Sequence, residues 1–354
     1  MTDRKTKPKS ARTAMLAITA GMWSVFLTSC FYVDHPSYAA TVGAQRCETE
    51  VPGPDDDIFT AEGKRGKIVD GDAYLCKDGR WIFQNTLMRP GFKDIHVRKT
   101  PQGWQVFNAR TGDKALMATE FSSGFEAPTF LDLFRTGGWS KTLLLSPRAD
   151  SDEKYMQLNQ RLMKGGQFLD NRIDLERDNV HSGNSAVRFY AVPPGWRMVT
   201  SKSLLEKSDL YFAKGDDVWF SAWYYLAEGI PSTLIDFDTQ WLQGRPGIRL
   251  FVRTKGGIPY ATMELKFIVK PQYNQFEFPL PTKKWTHIKL HLHLSNHDDG
   301  LMEIWQDDRK ILSTHGQTLP LHDTVYNAML VGITSTSMKT VLLVDDVKVS
   351  NKPF

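Results

Sequence analysis

Residues 287–294 read His-Ile-Lys-Leu-His-Leu-His-Leu, an alternation that is typical of a half-buried β-strand. Side chains alternate between the two faces of a strand, so the one Ile and three Leu of this segment share one face. The other face carries four cationic or titratable side chains, which are His287, Lys289, His291 and His293. The segment therefore predicts one strand of an antiparallel sheet that has an apolar core on one side and a polar outer face on the other.

The same alternation recurs along most of the chain after Ile173. The strand-like segments are separated by Gly, Pro, Asn and Asp turns, and they include 186–190, 218–226, 248–252, 260–269, 301–305 and 341–349. One helix is expected over 150–166, because Asp150 and Glu153 are spaced like a capping box and Gly165-Gly166 ends the pattern. Many short strands with little helix predict an all-β sandwich or barrel.

The outward faces of three other predicted strands are rich in cationic and aromatic side chains. They carry Trp219, Ser221, Trp223 and Tyr225; Arg249, Phe251 and Arg253; and Tyr260, Thr262, Glu264 and Lys266. If these faces and the histidine face line one sheet, the surface suits an acidic polysaccharide, since Arg and Lys pair with carboxylates and aromatic rings pack on sugars. The alternative is an ordinary solvated sheet face.

Two further readings of acidic and histidine residues stay open. The three histidines of one strand leave a zinc site as an alternative, although no closing carboxylate follows at good spacing. Asp236 and Asp238 are either a carboxylate pair for glycoside hydrolysis or loop residues. The sequence contains no Gly-rich phosphate loop, no serine nucleophile elbow and no C-x-x-C pair.

The N-terminus accounts for the basic character of the chain. The first 29 residues carry five basic residues and Asp3, while the remainder holds 39 basic and 39 acidic residues, out of totals of 44 and 40. Because the remainder is neutral, the composition gives no case for nucleic-acid binding, which draws on phosphate neutralisation.

The same N-terminus has the layout of a secretory signal, a cationic stretch to Arg12 followed by an apolar run over 14–27. Leu27-Thr28-Ser29-Cys30 resembles the bacterial lipobox, in which the cysteine is lipidated. The alternatives are cleavage after residues 37–39 or an uncleaved anchor over 14–33, about the 20 residues that span a bilayer. We therefore expect an exported protein at the periplasm, outer membrane or cell surface, anchored to the membrane by lipid on Cys30.

If Cys30 carries the lipid, Cys47 and Cys76 are the two remaining cysteines of the chain. They predict one disulfide in an oxidising compartment. Turn residues punctuate short β-prone runs over 73–83 and 95–107, which indicates two hairpins. We thus expect a signal over 1–29, a tether and small disulfide-stapled β module over 30–117, and a sandwich over 118–354. The small module shows no chemistry of its own, so it is interpreted as a spacer or adhesion module.

Several stretches, in order, resemble the jelly-roll polysaccharide lyases of the heparin-lyase and glucuronan-lyase kind. These stretches are Ser-Ser-Gly-Phe-Glu at 122–126, His-Ser-Gly-Asn-Ser-Ala-Val-Arg-Phe at 181–189, Lys-Gly-Asp-Asp-Val-Trp-Phe-Ser-Ala-Trp-Tyr at 214–224, the segment 285–307 with Asp299-Gly300 and Glu303 to Asp307, and Val-Asp-Asp-Val at 344–347. The resemblance covers about residues 120–350 and implies a concanavalin-like jelly roll. There is one departure: where such lyases often carry a basic-x-Glu pair, this chain reads Lys202-Ser203-Leu204-Leu205-Glu206, with the Glu displaced.

The resemblance implies cleavage of an acidic polysaccharide by β-elimination. Arg249, Arg253 or Lys289 would neutralise the uronate carboxylate, with Lys266, His293 and Trp223 as further substrate contacts. The base would be His287 or His291, and the acid would be Tyr260 or Tyr225.

The resemblance also implies a structural calcium ion held by Glu126 and one of Asp345 or Asp346. Two alternatives to an enzyme remain open at this point. One is a module that binds an envelope or matrix polysaccharide without cutting it, and the other is a structural surface lipoprotein with a protein partner.

Overall fold

A computed structural model describes residues 47–51, 57–61, 64–69, 72–86, 95–145, 170–195, 200–266 and 272–354. The predicted signal, Cys30 and the helix expected over 150–166 lie outside these residues. Within the described ranges, no helix has the length and apolar character needed to cross a membrane.

The N-terminal module consists of two small antiparallel sheets. The first has the order β1 (Asp57–Ala61), β2 (Lys64–Val69), β3 (Asp72–Lys77) and β4 (Arg80–Thr86). The second has the order β5 (Ile95–Thr100), β6 (Gly103–Asn108) and β7 (Lys114–Met117). Both predicted hairpins are confirmed, and so is the disulfide between Cys47 and Cys76, whose Cα atoms lie 5.7 Å apart.

Two large antiparallel sheets follow and form the predicted sandwich. The eight-stranded sheet has the order β10 (Arg172–Glu176), β11 (Ala186–Ala191), β22 (Thr340–Ser350), β13 (Asp217–Glu228), β18 (Trp285–His293), β19 (Leu301–Gln306) and β20 (Arg309–His315), with β8 (Glu120–Ser123) also paired to β22. The seven-stranded sheet has the order β17 (Gln272–Tyr273), β16 (Ile258–Leu265), β15 (Gly247–Lys255), β14 (Thr233–Asp238), β21 (Tyr326–Ile333), β12 (Lys202–Phe212) and β9 (Lys141–Leu145). The described residues contain one short helix, α1 (Asp132–Arg135).

The core lies between the two large sheets and is built by the alternation seen in the sequence. Ile288, Leu290 and Leu292 of β18 are at most 1% exposed and belong to one cluster with Ile248 and Leu250 of β15. Burial of each such side chain contributes about 1.5–3 kcal/mol, which fixes the faces of the strands. The opposite side chains of both sheets therefore point away from the core.

Candidate active site

A row of side chains crosses the outer face of the seven-stranded sheet in register. The row runs from strand to strand through Lys141, Glu206, Leu330, Asp236, Arg249, Glu264 and Gln272. It forms because Ile235 and Phe237 of β14 belong to the core, so the alternating Asp236 and Asp238 point outward. Neighbouring strands lie about 4.8 Å apart, which brings these charged groups within contact distance of one another.

Four carboxylates of this face are buried, namely Glu206, Asp236, Asp238 and Glu264, none of them more than 4% exposed. The outer face of an antiparallel sheet is normally solvated, so this burial is unusual. A buried carboxylate is stable only where cations and hydrogen-bond donors surround it. We refer to these four residues with Lys141, Lys202, Arg245, Arg249 and Lys266 as the charged face.

Cations pair with each of these carboxylates. Glu206 lies 3.0 Å from both Arg245 Nη1 and Lys141 Nζ. Lys266 contacts Asp238 and lies 3.2 Å from Asp236 Oδ2, and Arg249 Nη2 contacts Glu264. Arg245 Nε also lies 3.2 Å from Asp238 Oδ2, which joins the ion pairs of Glu206 and Lys266 into one network, with the Arg249–Glu264 pair beside it.

The network determines the charge of its members. Burial alone would raise the pKa of Glu206, but Arg245 and Lys141 outweigh burial and hold this pKa below its usual value. Burial alone would lower the pKa of Lys266, and Asp236 and Asp238 instead raise it. Both side chains are thus held in their charged forms.

Four buried atoms of the charged face have no hydrogen-bond partner in the part of the chain that the structure describes: Asp236 Oδ1, Arg245 Nε, Arg245 Nη2 and Arg249 Nε. Buried polar atoms without partners are rare in folded proteins, so these four leave hydrogen-bonding capacity for water or a polar ligand. The backbone of Arg245 also has φ of 49°, a left-handed conformation that is uncommon for residues with a side chain and that eight described non-glycine residues adopt.

Lys202 differs from the other cations of the charged face. It shares the outer face of β12 with Glu206, is half-buried, and makes no ion pair with any described residue. Burial lowers the pKa of Lys202 below its usual 10.5, an effect that the nearby Asp236 only partly offsets. Burial therefore shifts the amine of Lys202 toward its neutral form.

The predicted site residues do not share one surface. Arg249, Arg253, Tyr260 and Lys266 lie on the seven-stranded sheet, whereas Trp223, Tyr225, His287, Lys289, His291 and His293 lie on the eight-stranded sheet. The expectation of a single polar surface is wrong, because the period of two assigns each side chain to a face but does not say to which sheet a strand belongs.

Histidine and tryptophan rings stack on one another on the eight-stranded sheet. His287 stacks on Trp223 from the neighbouring strand β18, with ring centroids 4.7 Å apart. His181 stacks on Trp223 at 3.7 Å and bonds to Asp346 of β22, the strand on the other side of β13. Two histidine rings thus pack against the Trp223 ring.

The histidines of this sheet already have partners. His291 bonds to Glu303 and Asp217 through its two ring nitrogens, at 2.9 Å each, and His293 Nδ1 lies 3.3 Å from Asp217. His287 Nε2 lies 2.7 Å from the hydroxyl of Ser221, and burial lowers the pKa of His287. Lys289 pairs with Asp308 at 2.6 Å. No group of three or more His, Cys, Asp or Glu side chains in the described ranges is arranged to hold a metal ion.

The residues predicted to hold calcium surround the loop 181–185. Glu126 accepts backbone N–H groups of Asn184 and Ser185, and Asp345 Oδ2 accepts those of His181 and Ser182 at 3.0 and 3.2 Å. These N–H contacts occupy some of the oxygens that would bind calcium, and the ion itself stays a prediction.

Tyr260 and Arg253 lie at one end of the seven-stranded sheet. Tyr260 is buried with its ring edge against Phe276, at a centroid distance of 5.4 Å, and Arg253 opposite it is exposed. On the other sheet, Tyr225 lies beside Trp285 at 5.5 Å. Neither tyrosine belongs to the charged face.

Comparison with protein families identifies the chain. Residues 151–333, slightly more than half of it, match the model of the polysaccharide lyase family. The chain belongs to this family. No curated protein matches it significantly in sequence.

Solved structures similar to this chain include an endo-β-1,4-glucuronan lyase from the fungus Trichoderma reesei, with 10% identity and a TM-score of 0.46 over 67% of this chain and 96% of that one. A cellulose-induced protein has 15% identity and a TM-score of 0.43 over 66% and 97% of the two chains. An alginate lyase in complex with alginate tetrasaccharide has 9% identity and a TM-score of 0.37 over 66% and 97%.

The sequence patterns indicated no catalytic or binding role for most residues of the charged face. Glu206 was treated as displaced, yet Lys202 and Glu206 are an even number of residues apart and share one face of β12. Asp236 and Asp238 are strand residues rather than loop residues. The alternation of side chains in 202–206 and 234–238 predicts that Lys202, Glu206, Asp236 and Asp238 all point outward. Arg245 lies in a loop, where no such periodic pattern exists.

Proposed function

We propose that this lyase cleaves a uronate-containing polysaccharide by β-elimination on the charged face of the seven-stranded sheet. The observation that carries the proposal is a set of four buried polar atoms without a hydrogen-bond partner, beside an amine that has no ion-pair partner among the described residues. Family membership supports the reaction class.

The first requirement of the reaction is to neutralise the uronate carboxylate, so that the C5 proton becomes acidic. Arg249 and Arg245 are suited to this role, because guanidinium groups bind carboxylates with paired hydrogen bonds. Glu264 and Glu206 hold these two side chains in place through ion pairs. The positive charge is therefore oriented before the substrate binds.

Lys202 is proposed as both base and acid. Its neutral amine removes the C5 proton, the C4–O bond breaks as the C4–C5 double bond forms, and the resulting ammonium donates the same proton to the departing glycosidic oxygen. One group serves both steps when the proton and the leaving oxygen lie on the same side of the sugar ring. The lowered pKa of Lys202 favours the neutral amine that the first step needs.

This assignment moves the catalytic roles away from the residues first predicted. His287, His291 and Tyr225 lie on the opposite side of the sandwich, beyond a core about 10 Å thick. Tyr260 of β16 is four strands from Lys202 of β12, about 19 Å at the usual spacing. Lys289, His293 and Trp223 stay predicted as glycan contacts of a separate surface.

The test incubates purified protein with glucuronan, alginate and heparin-like polymers and records the ultraviolet absorbance of unsaturated uronate ends. Lys202→Arg retains the charge but cannot release a proton, so we expect activity to fall by about a hundredfold or more. Lys207→Arg is the matched control, since Lys207 lies on the same strand and belongs to no part of the charged face. Equal activity of the two variants would remove Lys202 from the mechanism.

If no polymer is cleaved, retention on polysaccharide resin separates the two remaining functions. A retained protein would be a glycan-binding module, and a protein that is not retained would be a structural surface protein. We also propose export and lipid anchoring at Cys30, which rest on the N-terminal sequence alone.

A further inference from the structure

A cavity of about 580 Å³ lies where the three-stranded sheet β5–β7 meets one end of the sandwich. Its lining includes Val97 from β5 and Tyr211, Lys214, Trp241 and His322 from the sandwich side. This volume is in the range of small-molecule sites and is large enough for one or two sugar residues.

The walls of this cavity are held by packing. Trp104 of β6 stacks on Tyr211 with ring centroids 4.3 Å apart, and Met117, Tyr211 and Val325 form a buried cluster against which Trp241 packs. These contacts join the three-stranded sheet to the sandwich, so the cavity has a defined shape.

The first small sheet fixes the opposite wall. Asp57 of β1 accepts the backbone N–H of His322 at 2.8 Å and the side-chain amide of Asn296 at 3.0 Å. Its second carboxylate oxygen lies 3.2 Å from His322 Nδ1. The N-terminal module therefore positions His322 at the cavity.

One residue next to the cavity lining contacts the charged face. Gln240 donates a hydrogen bond from its side-chain amide to Glu206 and a second one to the hydroxyl of Ser208. Its backbone N–H is fixed by Asn327 Oδ1 at 2.7 Å. The next residue along the chain, Trp241, lines the cavity, so the backbone at 240–241 links the cavity lining to the charged face.

The lining has the chemistry of a uronate-binding site. Trp241 offers aromatic surface for the C–H groups of a sugar, and the exposed Lys214 and His322 offer donors for its carboxylate. The exposed carboxylate of Asp323, which also lines the cavity, can accept hydrogen bonds from sugar hydroxyls. We infer that this cavity is a further saccharide subsite, built jointly by the N-terminal module and the sandwich, which binds uronate residues beyond the cleaved bond. This inference rests on the proposed lyase function.

The subsite is tested by kinetics on uronate oligosaccharides of increasing length and on the polymer. Trp241→Ala is expected to raise KM for the polymer by about tenfold, as for the loss of one aromatic contact, with kcat and the KM of the shortest cleaved oligosaccharide unchanged. Lys214→Ala, which removes an exposed side chain and does not endanger folding, is expected to raise the polymer KM by about threefold. Trp305→Ala on the eight-stranded sheet is the matched control and should change neither value.

An unchanged polymer KM in both variants, or an equal rise for every substrate length, would overturn the subsite. If the wild-type protein cleaves no polymer, the proposed reaction fails and the subsite is judged by calorimetric titration of the longest oligosaccharide. Weaker binding by Trp241→Ala and Lys214→Ala than by Trp305→Ala supports the subsite. Equal binding by all variants, or no binding by the wild type, counts against it.

Discussion

At the scale of single residues, the reactivity of the charged face depends on the contrast between Lys202 and Lys266. Both are half-buried lysines on one sheet face, but Lys266 contacts two carboxylates and its pKa is raised. Lys202 has no ion-pair partner among the described residues, and its pKa is lowered. In the proposed mechanism, the same side chain is thus a fixed charge at one position and a proton-transfer group at the other.

This contrast predicts a pH dependence of cleavage. Because neutral Lys202 is the active form, kcat/KM should rise with pH and level off above the folded-state pKa of Lys202, which lies below 10.5. The measurement is kcat/KM from pH 5 to 10 for the wild type, with Lys207→Arg as control. The residual activity of Lys202→Arg should lack this rise, and a rise preserved in that variant would assign it to another group.

At the scale of elements, the loop 181–185 connects strands β10 and β11 and wraps around carboxylates from two other segments. Gly183 has φ of 62°, and a Cβ atom there would overlap Glu126 Oε1. Gly183→Ala should therefore cost about 2–3 kcal/mol of unfolding free energy, from backbone strain and the lost Glu126 hydrogen bonds. Gly215→Ala is the control, since it has φ of 86° in open space and should cost about 1 kcal/mol. Urea denaturation measures both, and equal losses would show that Glu126 does not hold the loop.

The elements also show how far sequence reasoning extends. The alternation in 287–294 correctly gave the buried and outward faces of β18, since core burial dominates the energy of each strand. The alternation did not show that β15 and β18 belong to different sheets. β15 forms a hairpin with β16 and β18 forms one with β19, and both hairpins have the same alternation of apolar and polar side chains. Sheet membership is decided by long-range pairing such as β14 with β21, which no local period contains.

At the scale of the whole molecule, export and anchoring are open to a direct test. Cys30→Ser should convert a membrane-bound protein into a soluble exported one, because the lipid attachment is lost and the signal is retained. Cell fractionation with blotting measures this, and wild-type protein provides the comparison. A variant that stays in the membrane fraction would favour an uncleaved anchor over residues 14–33.

The in-register row across the seven-stranded sheet makes the charged face dependent on correct strand pairing. A slip of one residue between any two of its strands would turn the members of one strand from the outer face into the core. Lys141, Glu206, Asp236, Arg249 and Glu264 can then be assembled only in chains whose strands have all found their correct partners. Specific activity after refolding would thus measure the fraction of molecules with correct strand pairing. Spectroscopic measures of β content do not distinguish these molecules from those with a shifted register.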